Sequence, residues 1–198
     1  MRDARAIVTL HQDLVRRWHV EPLECVLDGW LGLVADQHRF NFLLWHEEDQ
    51  ARDPHAGDRR IASVKRAIDR LNQQRNDGIE KLDDYLIAGL HEQNLNHTEL
   101  PTHSETVGCI IDRLSILALR LYHMAEQAQR PDALPEQRSR AEHKLLILQT
   151  QALDLTISLQ RLLDDLWLGR KQLRVYRQFK MYNDPTMNPV LYQPRAAA

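Results

Sequence analysis

An all-α fold, an antiparallel bundle of four long helices plus a short N-terminal helix, is predicted by three properties of the chain. Only seven Gly and eight Pro occur among 198 residues, so helix formers dominate and material for hairpin turns is scarce. Apolar residues recur every three or four positions over most of the length. The interruptions are few, short and rich in Pro, Gly and Asp. The length suits one core, which predicts a single domain over 1–179 and an extended, proline-containing tail over 180–198.

Residues 3–19 form the first helix, with Ile7, Leu10, Leu14, Val15 and Trp18 on one face, short enough to act as a lid or brace. Pro22 suits a first helical position and opens a second helix to about Arg52, where Asp53, Pro54 and Gly57 interrupt it. Asp58 then caps a third helix to about Gln93. Thr102 with Glu105 offers a capping box for a fourth, ending near Gln129. A fifth runs from Pro135 to about Phe179 on the stripe Leu148, Ala152, Leu155, Leu159, Leu162 and Leu166. Unbroken, it would span roughly 65 Å, well past its partners, unless it breaks at Gly169. In the tail, Pro185, Pro189 and Pro194 exclude a long helix. Met181, Tyr182, Met187, Val190, Leu191 and Tyr192 nonetheless predict that it docks, on the bundle or on a second subunit.

A formal charge of −2 provides no basic field for nucleic acid or an anionic membrane. Cys25 and Cys109 fit neither a disulfide framework nor a zinc motif, and no apolar run reaches the roughly eighteen residues of a membrane span. A cytoplasmic protein is expected, without nucleic acid or a membrane span as partner.

The polar residues with chemistry to offer gather on two helices. The apolar stripe of the second helix, Leu23, Leu27, Trp30, Leu31 and Val34, continues in register as His38, Asn41, Trp45, Glu48 and Arg52. Such groups are costly to bury unless paired or used. On the third helix Arg75 fills a slot in the stripe of Ile61, Val64, Ile68, Leu71, Ile79, Leu82 and Leu86. Lys65, Asp69, Asn72, Asn76, Glu80 and Asp83 share a face beside it. Antiparallel packing about residue 55 sets Glu48 near Lys65, and His38 and Asn41 near Asp69, Asn72 and Arg75.

Two readings follow. One is an internal network, with Glu48–Lys65 and His38–Asp69 as pairs. The other is a ligand site of His38, Asn41, Glu48, Lys65, Asp69, Asn72, Arg75 and Asn76 for a small anionic metabolite, phosphorylated or nucleotide-linked. There Arg75 waits unneutralised, so that Arg75→Met leaves apo stability intact. Arg113 and Arg120 add charge nearby or lie over apolar surface.

No metal site and no cofactor is expected. Of the consecutive His46, Glu47, Glu48 and Asp49, at most two face one ion, and the pairs His46/Asp49 and His123/Glu126 are ordinary on helices. Most of the ten histidines read as surface residues, His38 excepted. No phosphate loop, nucleophile elbow or zinc signature is present.

The strings LWHEEDQAR, KRAIDRLNQQRNDGIEKLD and VYRQFKMYNDPTMNPVLY resemble the DUF4254-type family, bacterial all-helical domains of unknown function, from about Trp30 to Tyr192. The resemblance implies an all-helical protein with no established activity, whose relatives occur near genes of cell-envelope glycan assembly. It includes Glu48, Asn72 and Arg75, and it singles out Tyr182, Asn183, Asp184 and Asn188 in the tail. Glu47, Glu48, Glu80 and Asp83 also look superficially similar to the magnesium ligands of all-helical nucleotide pyrophosphohydrolases. Antiparallel pairing sets Glu80 about 25 Å beyond Glu48, which breaks that likeness. The competing class is a non-enzymatic adaptor whose fifth helix and tail form a homodimer or partner surface. An open cavity beside Arg75 favours the ligand site, and a filled network with an exposed apolar patch favours the adaptor.

Overall fold

In the computed structural model, which describes residues 1–179, 181 and 184–192, the chain folds as α1 (Ala4–Trp18), α2 (Gly29–Gln50), α3 (Asp58–Glu92), α4 (Val107–Gln129), α5 (Pro135–Trp167) and a single terminal turn, α6 (Pro189–Tyr192). There is no strand among the described residues, only a bridge between Thr102 and Gln172.

Most ends are set by local chemistry. Asp3 accepts from the Arg5 and Ala6 amides, and Arg16 and Arg17 sit in the last turn of α1, both favourable to the helix dipole. Thr106 rather than Thr102 caps α4, its hydroxyl accepting from the Cys109 amide at 3.1 Å. The Gly108 amide in the same turn donates to Asp83 of α3 at 2.7 Å. A Cβ at Gly108 would lie 2.5 Å from the Ile79 carbonyl oxygen, so α3 and α4 approach this closely only through a glycine. Burial raises the Asp83 carboxyl to about 6, against the Thr106 and Gly108 hydrogen bonds that favour its charge.

Besides the start of α4, two boundaries differ from the sequence expectation. The second helix begins at Gly29, not Pro22, because Gly29 has φ +63° and the chain before it folds back. The Leu27 carbonyl oxygen would stand only 2.2 Å from a Cβ at Gly32. Leu23 and Leu27 therefore leave the stripe, and Leu27 is exposed. The fifth helix stops at Trp167, since Gly169 adopts φ +65° and the chain continues extended rather than helical to Phe179.

α2 and α3 pack as an antiparallel hairpin in the expected register: a Cβ at Gly78 would touch the Gln37 side chain at 3.3 Å, and Leu44 clusters with Val64 and Ile68. α4 and α5 form a second hairpin. α4 is the central element, touching α1, α2, α3 and α5, so its first half, Val107–Leu119, is buried nearly all round. Leu82, Leu86 and Leu90 of α3, Ile110 and Ile111 of α4, and Leu159, Leu163 and Leu166 of α5 fill the main core. Burial of each such side chain contributes roughly 1.5–3 kcal/mol. α1 braces α4, α2 and α5 from one side.

Beyond α5 the chain docks early and then leaves. Leu173 is buried, its amide donating to Asn96 at 2.8 Å, and Arg177 bridges Glu80 and Asp84 of α3. Met181, Met187, Val190 and Leu191 are exposed on this chain, whose docked stretch is Gln172–Gln178. Tyr182 and Asn183 lie outside the described residues; Asp184 holds the Thr186 amide and hydroxyl, and the Asn188 side chain accepts from the Val190 amide.

Candidate functional site

The centre of the polar region is a residue that the periodicity did not single out. Asp112 of α4 is buried, and Arg75 reaches it from α3 with both Nε and Nη2, the Nε–Oδ1 distance being 2.7 Å. Gln37 and Asn41 of α2 also donate to Oδ1, at 2.6 and 2.9 Å. The carboxylate hydrogen bond and charge raise the Arg75 guanidinium further above its ordinary value, against burial. The expectation of an unneutralised Arg75 is thereby corrected. Charges of opposite sign met in bidentate geometry use each other up.

His38 stands one layer further in. Its Nδ1 is 2.7 Å from Ser115 Oγ, which also accepts from Asn41, and both His38 and Ser115 have no exposed surface. A serine and histidine in this contact would suggest a nucleophile, but no substrate reaches a fully buried hydroxyl. His38 stacks on His11 at 4.5 Å and on Trp18 at 5.3 Å. Burial pushes His11 down to about 3 and His38 well below its ordinary value, the neighbouring His11 adding to the latter shift. Both rings are therefore neutral at pH 7. The His38–Asp69 pair is not formed.

On the solvent side of this network a cleft of about 320 Å³ opens between α2, α3 and α4. It gathers four expected residues, Asn41, Glu48, Asn72 and Arg75, with Arg52 and Arg120. Ile116 and Arg120 of α4 continue it into a trough of about 740 Å³ between α4 and α5, walled by Arg113, Gln151 and Asp154 among others. Arg120 also lines a third, more apolar recess with Trp45 and Leu148. These volumes are in the range of small-molecule sites. Most polar groups of the cleft are committed: Arg75 to Asp112, Asn41 to Asp112 and Ser115, Glu48 to Arg52. Among the described residues, Asn72 and Arg120 make no hydrogen bond or ion pair.

The remaining expected residues stay outside. Lys65 and Asp69 pair with each other at 2.9 Å on the exposed surface of α3, and Asn76 is half-buried away from the cleft wall. The carboxylates of the pyrophosphohydrolase likeness are dispersed: Glu80 holds Arg177 and Gln178, Asp83 holds the α4 N-terminus, and Glu48 pairs with Arg52.

A second cluster lies beside the first. His19 at the C-terminus of α1, His46 of α2 and His123 of α4 place one ligand nitrogen each within 4.8 Å of one another. Burial lowers His46, and the adjacent His19 and His123 lower it further. Neither single-helix pair, His46/Asp49 or His123/Glu126, showed this in the sequence. The third ring comes from α1.

A family model described as "Protein of unknown function (DUF4254)" matches residues 31–175. No curated protein and no solved structure matches the chain.

Proposed function

Since the chain belongs to the DUF4254 family, whose description names no activity, we propose a function from its own geometry: it binds a small anionic metabolite in the cleft between α2, α3 and α4. The observation that supports this reading is Arg120, a guanidinium with no ion pair among the described residues, at the junction of three adjoining recesses. Asn72 is its free amide partner in the cleft, and Arg75 lends shape more than charge because Asp112 neutralises it. Asp154 and the paired Glu105 oppose an anion on the α5 side, which favours the side walled by α2 and α3. The test is calorimetric titration with inorganic phosphate, sulfate and nucleotide sugars on wild type and Arg120→Gln. Binding by wild type that weakens at least tenfold in Arg120→Gln, with an unchanged apo melting temperature, supports the reading. No binding, or binding indifferent to Arg120, overturns it.

A second reading has its own observation. Leu146, Leu153 and Ile157 form an exposed apolar stripe on α5, with Ile147 beside it, which supports a homodimer through that helix. Light scattering on wild type and on Leu146→Glu/Leu153→Glu decides it: a dimer that becomes monomeric supports it, and a monomeric wild type excludes it.

A further inference from the structure

We propose that His19, His46 and His123 are a binding site for a divalent transition-metal ion of the zinc class. The three rings come from three helices and stand mutually edge-on, with centroids 5.1 to 5.9 Å apart and interplanar angles of 72 to 85°, so they surround a common point rather than stack. Two of them are already oriented as ligands. His19 Nδ1 lies 2.6 Å from the Val15 carbonyl oxygen, which can only accept, so Nδ1 carries the proton and the lone pair is on Nε2. His123 Nδ1 donates to Glu126 at 2.8 Å, which likewise leaves the lone pair on Nε2. Both Nε2 atoms are buried and have no hydrogen-bond partner.

Buried acceptors without donors are costly, and two of them in a cluster whose three histidines each bring a ring nitrogen within 4.8 Å of the others invite an ion. A ring nitrogen held by a carbonyl or carboxylate while the other faces a shared centre is the supporting arrangement of histidine ligands in metal proteins. Aromatic walls fix the rotamers: Tyr122 stacks on His19 at 4.2 Å, Trp45 on His123 at 4.7 Å, and Phe42 meets His46 edge-on at 4.6 Å. Zinc–nitrogen bonds of about 2.0–2.1 Å in tetrahedral geometry set the nitrogens roughly 3.3 Å apart, so the three nitrogens, now within 4.8 Å of one another, draw in by up to about 1.5 Å through side-chain rotation when the ion binds. Three imidazoles select zinc, cobalt, nickel or copper over the oxygen-seeking magnesium and calcium, and leave a fourth position for water.

The test uses the tag-free full chain stripped with chelator. Cobalt(II) is titrated in and followed by its d–d absorption, zinc is then added as competitor, and bound metal is counted after dialysis, with magnesium as control. One cobalt per chain, displaced by zinc and not by magnesium, is expected. His46→Ala and His123→Ala should weaken it at least tenfold. Glu126→Gln, which loses only the supporting carboxylate, should weaken it about tenfold. His143→Ala on the exposed face of α5 should change nothing. Because a histidine variant can lose its fold, circular dichroism accompanies each, and diethyl pyrocarbonate labelling of wild type supplies an arm without mutation: zinc should protect His19, His46 and His123. No cobalt or zinc bound at micromolar concentration, binding that survives both histidine substitutions, or protection of other histidines instead overturns the proposal.

Discussion

Around Asp112 the opposite charges of α3 and α4 cancel each other, and the atoms left without a partner, Gln37 Oε1 and His38 Nε2, belong to neutral groups at its edge, whereas three turns further along α4, around His123, the unpartnered atoms are ring nitrogens of one three-histidine cluster. Asp112 receives Arg75, Gln37 and Asn41, and its charge is cancelled within the cluster. The imidazoles of His19 and His123 are each anchored by one nitrogen and leave the other buried and bare. Both clusters sit in the same bundle and both draw on α2 and α4. A polar group in a stripe therefore locates a departure from plain core, but whether charges are paired and whether the unpartnered atoms are gathered in one cluster separates an internal strut from a place prepared for something else.

The comparison breaks most visibly at Asp112. Asp112→Leu leaves Arg75 partly buried without its partner, and removal of one member of a buried ion pair costs about 3–5 kcal/mol. For a chain of this size that lowers the melting temperature by roughly 10 °C, read by calorimetry. A loss under 1 kcal/mol would show that solvent, not Asp112, neutralises Arg75. Arg75→Met should be destabilising for the same reason.

Acid sharpens the contrast next. His11 is held at about 3 in the fold, below its ordinary value near 6.5. The unfolded chain takes up the proton first, so the stability it contributes is complete above pH 6.5 and is lost as pH falls toward 3. At pH 4.5 the loss is about 2–3 kcal/mol. Asp83 runs the other way: held at about 6, it is protonated more readily in the fold, so stability rises as pH falls from above 6 toward its ordinary value near 4. Denaturation series from pH 7.5 to 4 on wild type, His11→Leu and Asp83→Asn separate the two. His11→Leu should flatten the acid loss, and Asp83→Asn should steepen it. A His11→Leu profile parallel to wild type would contradict the burial argument.

The smallest effect is expected on the exposed face of α3. Lys65→Ala and Asp69→Ala should each shift stability within about 0.5 kcal/mol, and neither should alter anion binding in the cleft. A change in phosphate affinity by calorimetry would return these residues to the site.

The long periodicities made the helices legible, and the short Asp53–Gly57 connection fixed the register of α2 against α3, as the contact of Gly78 with Gln37 shows. Gly29 and Gly32 were missed as a start signal because a helix-compatible Pro22 stood ahead of them. Half of the expected ligand set came together in the cleft, since Asn41, Glu48, Asn72 and Arg75 follow from two periodic faces and one register. Asp112 and Ser115 were invisible to that logic. They lie in the first half of α4, buried nearly all round, where no single face marks inside, although an acidic residue between Ile111 and Leu114 in so apolar a segment was the signal to find them. The histidine cluster was hidden for a different reason. Its members are more than 25 residues apart in sequence, and only the packing of α1 against α4 brings them together.

The most direct measurement is the chemical denaturation of the Arg75→Met/Asp112→Leu double variant, with and without zinc. With the charges removed together, the double variant should be more stable than either single variant, about 1–3 kcal/mol below wild type, because the two charges cancel each other and the remaining cost is the acceptor that Gln37 and Asn41 lose. It should also keep the full stabilisation by zinc seen in wild type. A double variant as unstable as the sum of the two singles, or one that has lost the zinc effect, would contradict the division of the polar interior into a closed strut and an open site.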